Sequence, residues 1–389
     1  MHYQLYIHFP FCKRKCYYCD FCSFACNENS IPKYLSYLKK ELTLLAKKQG
    51  NITLSTIFFG GGTPSLIPEE NLLELMEHIK TLFILSKDIE ITIEANPGTV
   101  SLTWLLTAYK SGINRISFGM QAIQSNLLKI IGRIHNKEDV VNSVELAKKV
   151  GFTNISLDLM FGLPSQTLND WKETLDFAVQ LSPTHLSCYS LIVEEDTVLY
   201  KQVENGTVTL PNEDILSDMQ EYTFEYLEKM NYSAYEVSNF SLPNYACKHN
   251  VGYWKGNAYL ACGLAAHSYL PRACTNEKDI RYEKDIRYEN PVDFKSYYNA
   301  LDNNVLPRKI SCYVDNDERL LEFIMLRLRM FEGIYKTEFN KLFNLDFNEN
   351  YKNTINKLVK NELAIDTDEQ FYLTKKGMLL QNQVVLMFV

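Results

Sequence analysis

Short apolar runs alternate with amphipathic helical segments along the first half of the chain. Between the runs, apolar residues recur at intervals of three and four, the spacing that predicts a helix with one buried face. Strands that alternate with helices in this way predict a parallel sheet. Six such units fall short of the eight of a closed barrel, so the pattern predicts an α/β fold with an open, partial (β/α)6 barrel. The predicted strands are 5–9, 55–59, 89–94, 115–118, 154–160 and 185–191, and the predicted helices are 31–48, 68–83, 102–110, 137–149 and 169–180.

The alternation of strands and helices stops near residue 193, and the second half of the chain shows no single hydrophobic periodicity. The six residues EKDIRY at 277–282 are repeated without a gap at 283–288. Six residues are too few for a solenoid unit, so we interpret the repeat as a duplication that lengthens a polar surface loop. The other predictions for this region are a helix at 213–230, an extended segment at 232–240 and a loop-rich aromatic stretch at 248–269.

A separate small unit is predicted after residue 317. Three helices followed by a hairpin are typical of a winged-helix-like module, and its helices carry only a mildly basic face, which disfavours DNA binding. The predicted domains are therefore a partial barrel (1–195), a barrel extension (196–310) and a small C-terminal winged-helix-like helical domain (311–389). The helices of the last domain are predicted at 318–330, 336–343 and 350–361, and the hairpin at 363–373.

Composition narrows the class of protein. The 389 residues are 46% hydrophobic and 22% charged, with a net charge of -7 and no extended block of Lys or Arg, so no nucleic-acid partner is expected. Five of the ten cysteines lie in the first 26 residues. Neither a secretory signal nor an apolar stretch of about 18 residues is present, so we expect a reducing cytoplasmic location, with peripheral attachment at a membrane left open.

Three cysteines stand at close, fixed spacing directly after the first predicted strand. Cys12, Cys16 and Cys19 form a C-x3-C-x2-C pattern. Clustered thiolates can hold an iron–sulfur cluster, and four are the usual number, so three would leave one iron open to a small molecule. A structural zinc site completed by Cys22, or plain buried thiols, is the alternative, although the second C-x2-C pair of a zinc ribbon is missing.

Polar and glycine residues follow the next predicted strands. The glycine run at 60–62 could bring backbone N–H groups close to an anionic ligand, or it could simply form a tight turn. Strand ends of a barrel collect at one rim, so the polar residues there are candidates for one ligand site. Arg133 could bind a carboxylate or face solvent. The rim candidates are Glu94, Gln121 and Asp158.

Taken together, these motifs resemble the radical S-adenosylmethionine (SAM) superfamily, in the branch of the oxygen-independent coproporphyrinogen III oxidases and the HemW-type haem chaperones. The resemblance rests on HFPFC-x3-C-x2-C-D-F, GGGTPS, IEANPG, RISFGMQ, GRIH and DLMFGLP, and it extends over nearly the whole chain. It implies a radical SAM barrel, a 4Fe-4S cluster on the three cysteines and a reducing partner such as flavodoxin or ferredoxin. The implied SAM-contacting residues are Tyr6, Gly61, Gly62, Thr63, Glu94, Gln121, Arg133 and Asp158; whether one or two SAM molecules bind is open.

Three features favour the chaperone side of this branch. The oxidases carry a fourth cysteine where this chain has Phe21, and they have an N-terminal arm, whereas eleven residues precede Cys12 here. The chaperones carry an H-N-x2-Y-W motif, which this chain has from His249 to Trp254. Histidine is a common haem ligand, so His249 is the expected one. His267 and Cys262 are rival ligands in a stretch where two alanines replace glycines of the relatives.

The resemblance thus implies a protein that binds haem and passes it to acceptor apoproteins, respiratory ones at the membrane among the candidates. Coproporphyrinogen oxidase activity is not expected. The alternative is a true oxidase that decarboxylates coproporphyrinogen III to protoporphyrinogen IX through a 5'-deoxyadenosyl radical. A homodimer is left open.

Overall fold

The computed structural model describes residues 2–25, 29–274 and 284–388. Six parallel strands lie side by side in chain order, which confirms the predicted partial barrel. Their inward faces are apolar and nearly solvent-free, as in Leu5, Ile57 and Ile93. The strands are His2–Phe9, Thr53–Gly61, Ile84–Ala95, Arg115–Gln121, Asn154–Phe161 and His185–Ser190.

Five of the helices that connect these strands lie at nearly the predicted positions, and the short helix Ser125–Ile130 was not predicted. Two of them begin with reciprocal capping boxes, Asn136 with Asp139 and Thr167 with Asp170, in which each side chain bonds the other residue's backbone N–H. These local signals explain why the helix starts can be read from the sequence. The helices are Ser30–Gln49, Glu69–Leu82, Leu102–Lys110, Ser125–Ile130, Lys137–Val150 and Leu168–Gln180, followed by Val198–Glu204 and Glu213–Lys229.

The sheet continues beyond the barrel on both sides to twelve strands. The prediction of a loop-rich stretch at 248–269 is wrong. This stretch contains the helix Lys248–Trp254 and two strands, of which Tyr259–Cys262 pairs in parallel with the first strand of the chain. Such short segments show no periodicity of their own, because pairing with distant strands makes them regular. The added strands are Ser233–Ala234, Asn239–Ser241, Tyr259–Cys262, His267–Leu270, Asp285–Glu289 and Lys309–Val314.

The interpretation of the EKDIRY repeat as a polar loop is also wrong for its second copy. That copy provides the strand Asp285–Glu289, paired on both sides, with Asp285 and Ile286 buried. From Ile286 to Glu289 buried and half-buried residues alternate, as expected of a paired strand. The first copy, 277–282, lies outside the described residues.

The C-terminal unit has the predicted order of three helices and a hairpin. The helices are Asn316–Arg327, Lys336–Phe343 and Phe347–Lys360. The hairpin consists of the strands Ala364–Asp366 and Gln370–Leu373, and a third strand, Ile334–Tyr335, pairs with Gln370–Leu373. Two short helices, Lys375–Leu379 and Gln381–Val385, complete it, and Phe294–Asp302 precedes it. Lys309–Val314 spans the predicted boundary at residue 310 as an edge strand of the large sheet. None of the described helices combines the length and apolarity needed to cross a membrane.

Candidate cofactor site

One cavity of about 450 Å³ collects the three expected cluster ligands, the residues expected to contact SAM and the expected haem ligand. This volume is within the range of small-molecule sites. The residues come from the cysteine loop, from the ends of successive strands and from the helix Lys248–Trp254. They are Tyr6, Cys12, Cys16, Cys19, Gly61, Gly62, Thr63, Glu94, Gln121, Arg133, Asp158 and His249.

The cysteine loop is held in place by main-chain hydrogen bonds. Phe11–Cys12 pairs in parallel with Phe24–Ala25, which closes the loop at its base. The Tyr17 N–H donates to the Ile131 carbonyl at 3.0 Å, and the Tyr17 carbonyl accepts from the Leu199 N–H at 2.8 Å. The loop is therefore attached to two separate parts of the fold.

The three thiols have the chemistry that an iron–sulfur cluster requires. Burial raises the pKa of the Cys12 and Cys19 thiols, so their thiolates need a nearby cation to form. Arg133 Nη1 lies 3.5 Å from Cys16 Sγ, and bound iron would stabilise all three thiolates. Among the described residues no three His, Cys, Asp or Glu side chains converge on a point for a single ion. A four-iron cluster does not need such convergence, because each thiolate binds a different iron.

The glycine turn packs directly against the cysteine loop. The N–H groups of Gly62 and Thr63 donate to the carbonyls of Phe9 and Phe11 at 2.7 and 2.8 Å. A Cβ on Gly62 would lie 2.6 Å from the Phe11 oxygen, and Gly61 has φ 105° with its Cβ position 2.5 Å from the His8 ring. Only glycine permits this approach. These two N–H groups thus face protein carbonyls rather than a ligand.

Two half-buried carboxylates, Glu94 and Asp158, line the cavity. Both oxygens of Asp158 accept from the Ser117 hydroxyl at 2.9 Å. Burial, reinforced by the charge of Asp158, raises the pKa of Glu94 to about 8, and burial also raises the pKa of Asp158. Because like charges in a desolvated site repel, this pair favours a ligand that brings positive charge.

Two arginines balance the acids. Arg133 Nη2 donates to Asn96 Oδ1 at 2.7 Å and to the Gly119 carbonyl, next to the strand end where Gln121 adopts a left-handed φ of 64°. That conformation is unfavourable for a residue other than glycine and is frequent at functional positions. Arg115 was missed by the sequence analysis, although an arginine inside an apolar strand was the available signal. It is 2% exposed, and its Nε has no hydrogen-bond partner among the described residues.

His249 is held on both sides. Its Nδ1 lies 2.6 Å from Thr56 Oγ1 and its Nε2 lies 3.0 Å from the Tyr253 hydroxyl, while its ring stacks on Phe58. The Glu90 carboxylate accepts the N–H groups of Lys248 and His249, both at 3.1 Å, and so caps the helix. Ligation of a metal by His249 would require one of the two ring contacts to open.

Acidification is expected to destabilise the protein through His249. Burial, with a smaller contribution from Arg115, lowers the pKa of this imidazole to about 3, against about 6.5 in an unfolded chain. Below pH 6.5 the imidazole of His249 is protonated in the unfolded chain but stays neutral in the folded protein. The free energy of unfolding therefore decreases towards lower pH, by up to about 1.4 kcal/mol per pH unit from this residue. Urea unfolding of His249→Gln between pH 6.5 and 5 should show a shallower fall than the wild type. Equal slopes of unfolding free energy against pH in the variant and the wild type would contradict a buried, neutral His249. Burial also lowers the pKa of His185, which accounts for the slope that remains in the variant.

Comparisons with known proteins agree with this geometry. Residues 6–178 match the Radical SAM superfamily, and residues 314–380 match the HemN C-terminal domain. The Bacillus subtilis (strain 168) protein named heme chaperone HemW is 35% identical over 380 residues, covering 97% of each chain. The Haemophilus influenzae protein of the same name is 35% identical over 392 residues, covering 99% of this chain and 97% of its own.

A solved structure extends the similarity to the whole fold. Coproporphyrinogen III oxidase (HemN) from Escherichia coli matches with a TM-score of 0.82, covering 99% of this chain and 89% of that chain. At 23% identity this match shows the fold alone. The near full-length sequence relatives decide the family. The chain therefore belongs to the radical SAM superfamily and, within it, to the HemW family.

Proposed function

We propose that this protein is a haem chaperone that carries a 4Fe-4S cluster, binds SAM and transfers haem to acceptor apoproteins. One observation of the structure carries the proposal. The cofactor cavity adjoins a second cavity of about 510 Å³, and Tyr6, Phe21 and Tyr253 line both. Two separate ligands can therefore be held side by side, as a protein with both a cofactor and a cargo requires. The name heme chaperone of the relatives agrees with it.

In this proposal Cys12, Cys16 and Cys19 hold the cluster, whose open iron binds SAM and supplies one-electron chemistry. The cavity-lining carboxylates Glu94 and Asp158 favour the cationic parts of SAM, and the guanidinium groups of Arg115 and Arg133 favour its carboxylate. Electrons would come from a flavodoxin or ferredoxin in the cytoplasm. The acceptors include respiratory apoproteins at the membrane, and association into a homodimer is open.

The alternative function, coproporphyrinogen oxidation, has weaker support. Phe21, at the position where the oxidases have a fourth cysteine, is 60% exposed. Cys22 is the neighbouring thiol, but it lines the second cavity and not the cavity of the other three cysteines. Of the described residues, one further thiol lines the cavity of the cluster ligands, Cys247, and its Sγ lies 3.5 Å from Glu90 Oε1. The position of the oxidases' fourth cysteine therefore carries no thiol in this chain.

Haem transfer by the reconstituted protein tests the proposal. Wild-type protein should pass haem to an apoprotein, followed by the Soret spectrum of the acceptor, and should form no protoporphyrinogen from coproporphyrinogen III with SAM and a reductant. His249→Ala should lower haem transfer and leave the iron–sulfur cluster intact. Transfer falls either because the haem iron loses a ligand or because the hydroxyl of Tyr253, a residue that lines both cavities, loses its hydrogen-bond partner. Decarboxylation by the wild type, with normal transfer by His249→Ala, would favour the oxidase.

A further inference from the structure

The second cavity lies between the barrel extension and the C-terminal helical unit. Its walls come from the helix Lys248–Trp254, the strands His267–Leu270 and Asp285–Glu289, and the first two helices of the C-terminal unit, Asn316–Arg327 and Lys336–Phe343. The volume of about 510 Å³ is in the range of pockets that bury a whole small molecule. The site thus forms only when the two parts of the fold come together.

Aromatic rings form much of the wall of this cavity. Tyr253 packs edge-on against Tyr259 with ring centres 4.7 Å apart, and Tyr259 lies 6.0 Å from Tyr269. Phe323 and Phe343 pack against each other on the side of the C-terminal unit, at 5.4 Å. Walls of this kind bury large apolar area with little loss of side-chain entropy and suit a flat, conjugated ligand.

Positively charged donors interrupt the aromatic wall. Arg287 and Arg327 are paired with the lining carboxylates Glu322 and Glu338, at 2.8 and 2.6 Å. Arg319 is paired through its Nε with Asp285, which lies behind the wall, at 3.3 Å. A guanidinium has five N–H donors, so these pairs leave donors for a carboxylate of the ligand.

Two buried donors in the wall have no partner among the described residues. They are Arg327 Nε and Trp254 Nε1. The Arg327 side chain is only 5% exposed, so an N–H group there without a protein partner is unfavourable. A ligand with anionic oxygens at its edge would satisfy it. The wall therefore favours a flat aromatic molecule with carboxylate groups, which describes a porphyrin with its propionates.

His267 is the histidine of this cavity that is available to bind a metal. It is the exposed first residue of the strand His267–Leu270 and lines the cavity. Its imidazole has no hydrogen-bond partner within the described part of the chain, whereas both nitrogens of His249 are engaged. Of the rival ligands, Cys262 is completely buried. A free ring nitrogen is what iron coordination requires.

We propose that haem binds in this second cavity, with His267 as its iron ligand and with Arg319 and Arg327 as partners of the propionates. This inference rests on the proposed function and specifies where the cargo lies. It assigns a different part to His249, which then acts as a positioning residue. His249 Nε2 lies 3.0 Å from the Tyr253 hydroxyl, and Tyr253 lines both cavities.

Haem titration of holoprotein variants tests the ligand. His267→Ala is expected to shift the Soret band and to weaken haem binding about tenfold or more, and added imidazole should restore the spectrum. His2→Ala, an exposed histidine that lines neither cavity, is the matched control and should behave as wild type. Cluster content and circular dichroism verify that each variant is folded. An unchanged spectrum in His267→Ala, with loss of the spectrum in His249→Ala, would overturn the assignment.

A separate measurement tests whether arginine side chains bind the haem propionates. Arg319→Gln should weaken binding of haem about tenfold but leave binding of haem dimethyl ester unchanged, because the ester has no carboxylates to pair with the guanidinium. Equal losses for both ligands, or none, would contradict this part of the proposal. Absence of haem binding by the wild type would instead refute the proposed function itself, so the two failures are distinguishable.

Discussion

Replacing any one of Cys12, Cys16 or Cys19 by Ala is expected to abolish the iron–sulfur cluster. The three thiols line one cavity on a loop that is hydrogen-bonded to two separate parts of the fold. A cluster with three protein ligands has none in reserve, because each thiolate binds a different iron. Iron and sulfide analysis after anaerobic reconstitution, together with the charge-transfer absorption of the cluster, measures the effect.

Cys22→Ala is the matched control, because this thiol is on the same loop. Its Sγ lies 3.5 Å from the Val292 carbonyl and lines the second cavity, so the cluster should be retained. Cys26 lies outside the described residues, and the expectation that Cys26→Ala also retains the cluster rests on sequence alone. Loss of iron in Cys22→Ala would show that the cluster has no open iron, and it would remove the basis for SAM binding.

Asp158→Ala and Glu94→Ala are expected to weaken SAM binding about tenfold or more with the cluster intact. Each removes one of the two carboxylates that line the cavity, and charge-assisted contacts contribute more than neutral ones. Asp158→Ala also leaves the Ser117 hydroxyl without its acceptor. Equilibrium dialysis against SAM measures the affinity.

Asp158→Asn separates charge from shape, because the amide is nearly isosteric and still accepts from Ser117. If charge decides, Asp158→Asn should lose most of the affinity that Asp158→Ala loses. Asp88→Ala is the surface control: the Asp88 side chain is 82% exposed and lies outside the cavity. Unchanged affinity in both Asp158→Ala and Glu94→Ala would place the SAM site elsewhere.

The cofactor side of the site could be predicted because its residues follow local rules. Carboxyl ends of parallel strands meet at one rim, so the sequence alone places Glu94, Gln121 and Asp158 in one group. The role of the glycine turn could not be predicted from the sequence, because Gly62 contacts the carbonyls of Phe9 and Phe11, about fifty residues away in the chain. Arg115 was missed for a similar reason: nothing in its own strand indicates which buried partners would surround it.

The sequence by itself determined the alternating strands and helices, the helix starts and the cysteine loop, because periodicity, capping and ligand spacing act within a few residues. Only the tertiary structure decided the regular strands at 259–270, the strand formed by the second EKDIRY copy and the cavity shared by His267, Arg319 and Arg327. Those features depend on pairing and packing between segments far apart in the chain. Local pattern does not encode such contacts, because the same short segment becomes a strand or a loop according to the neighbours it meets.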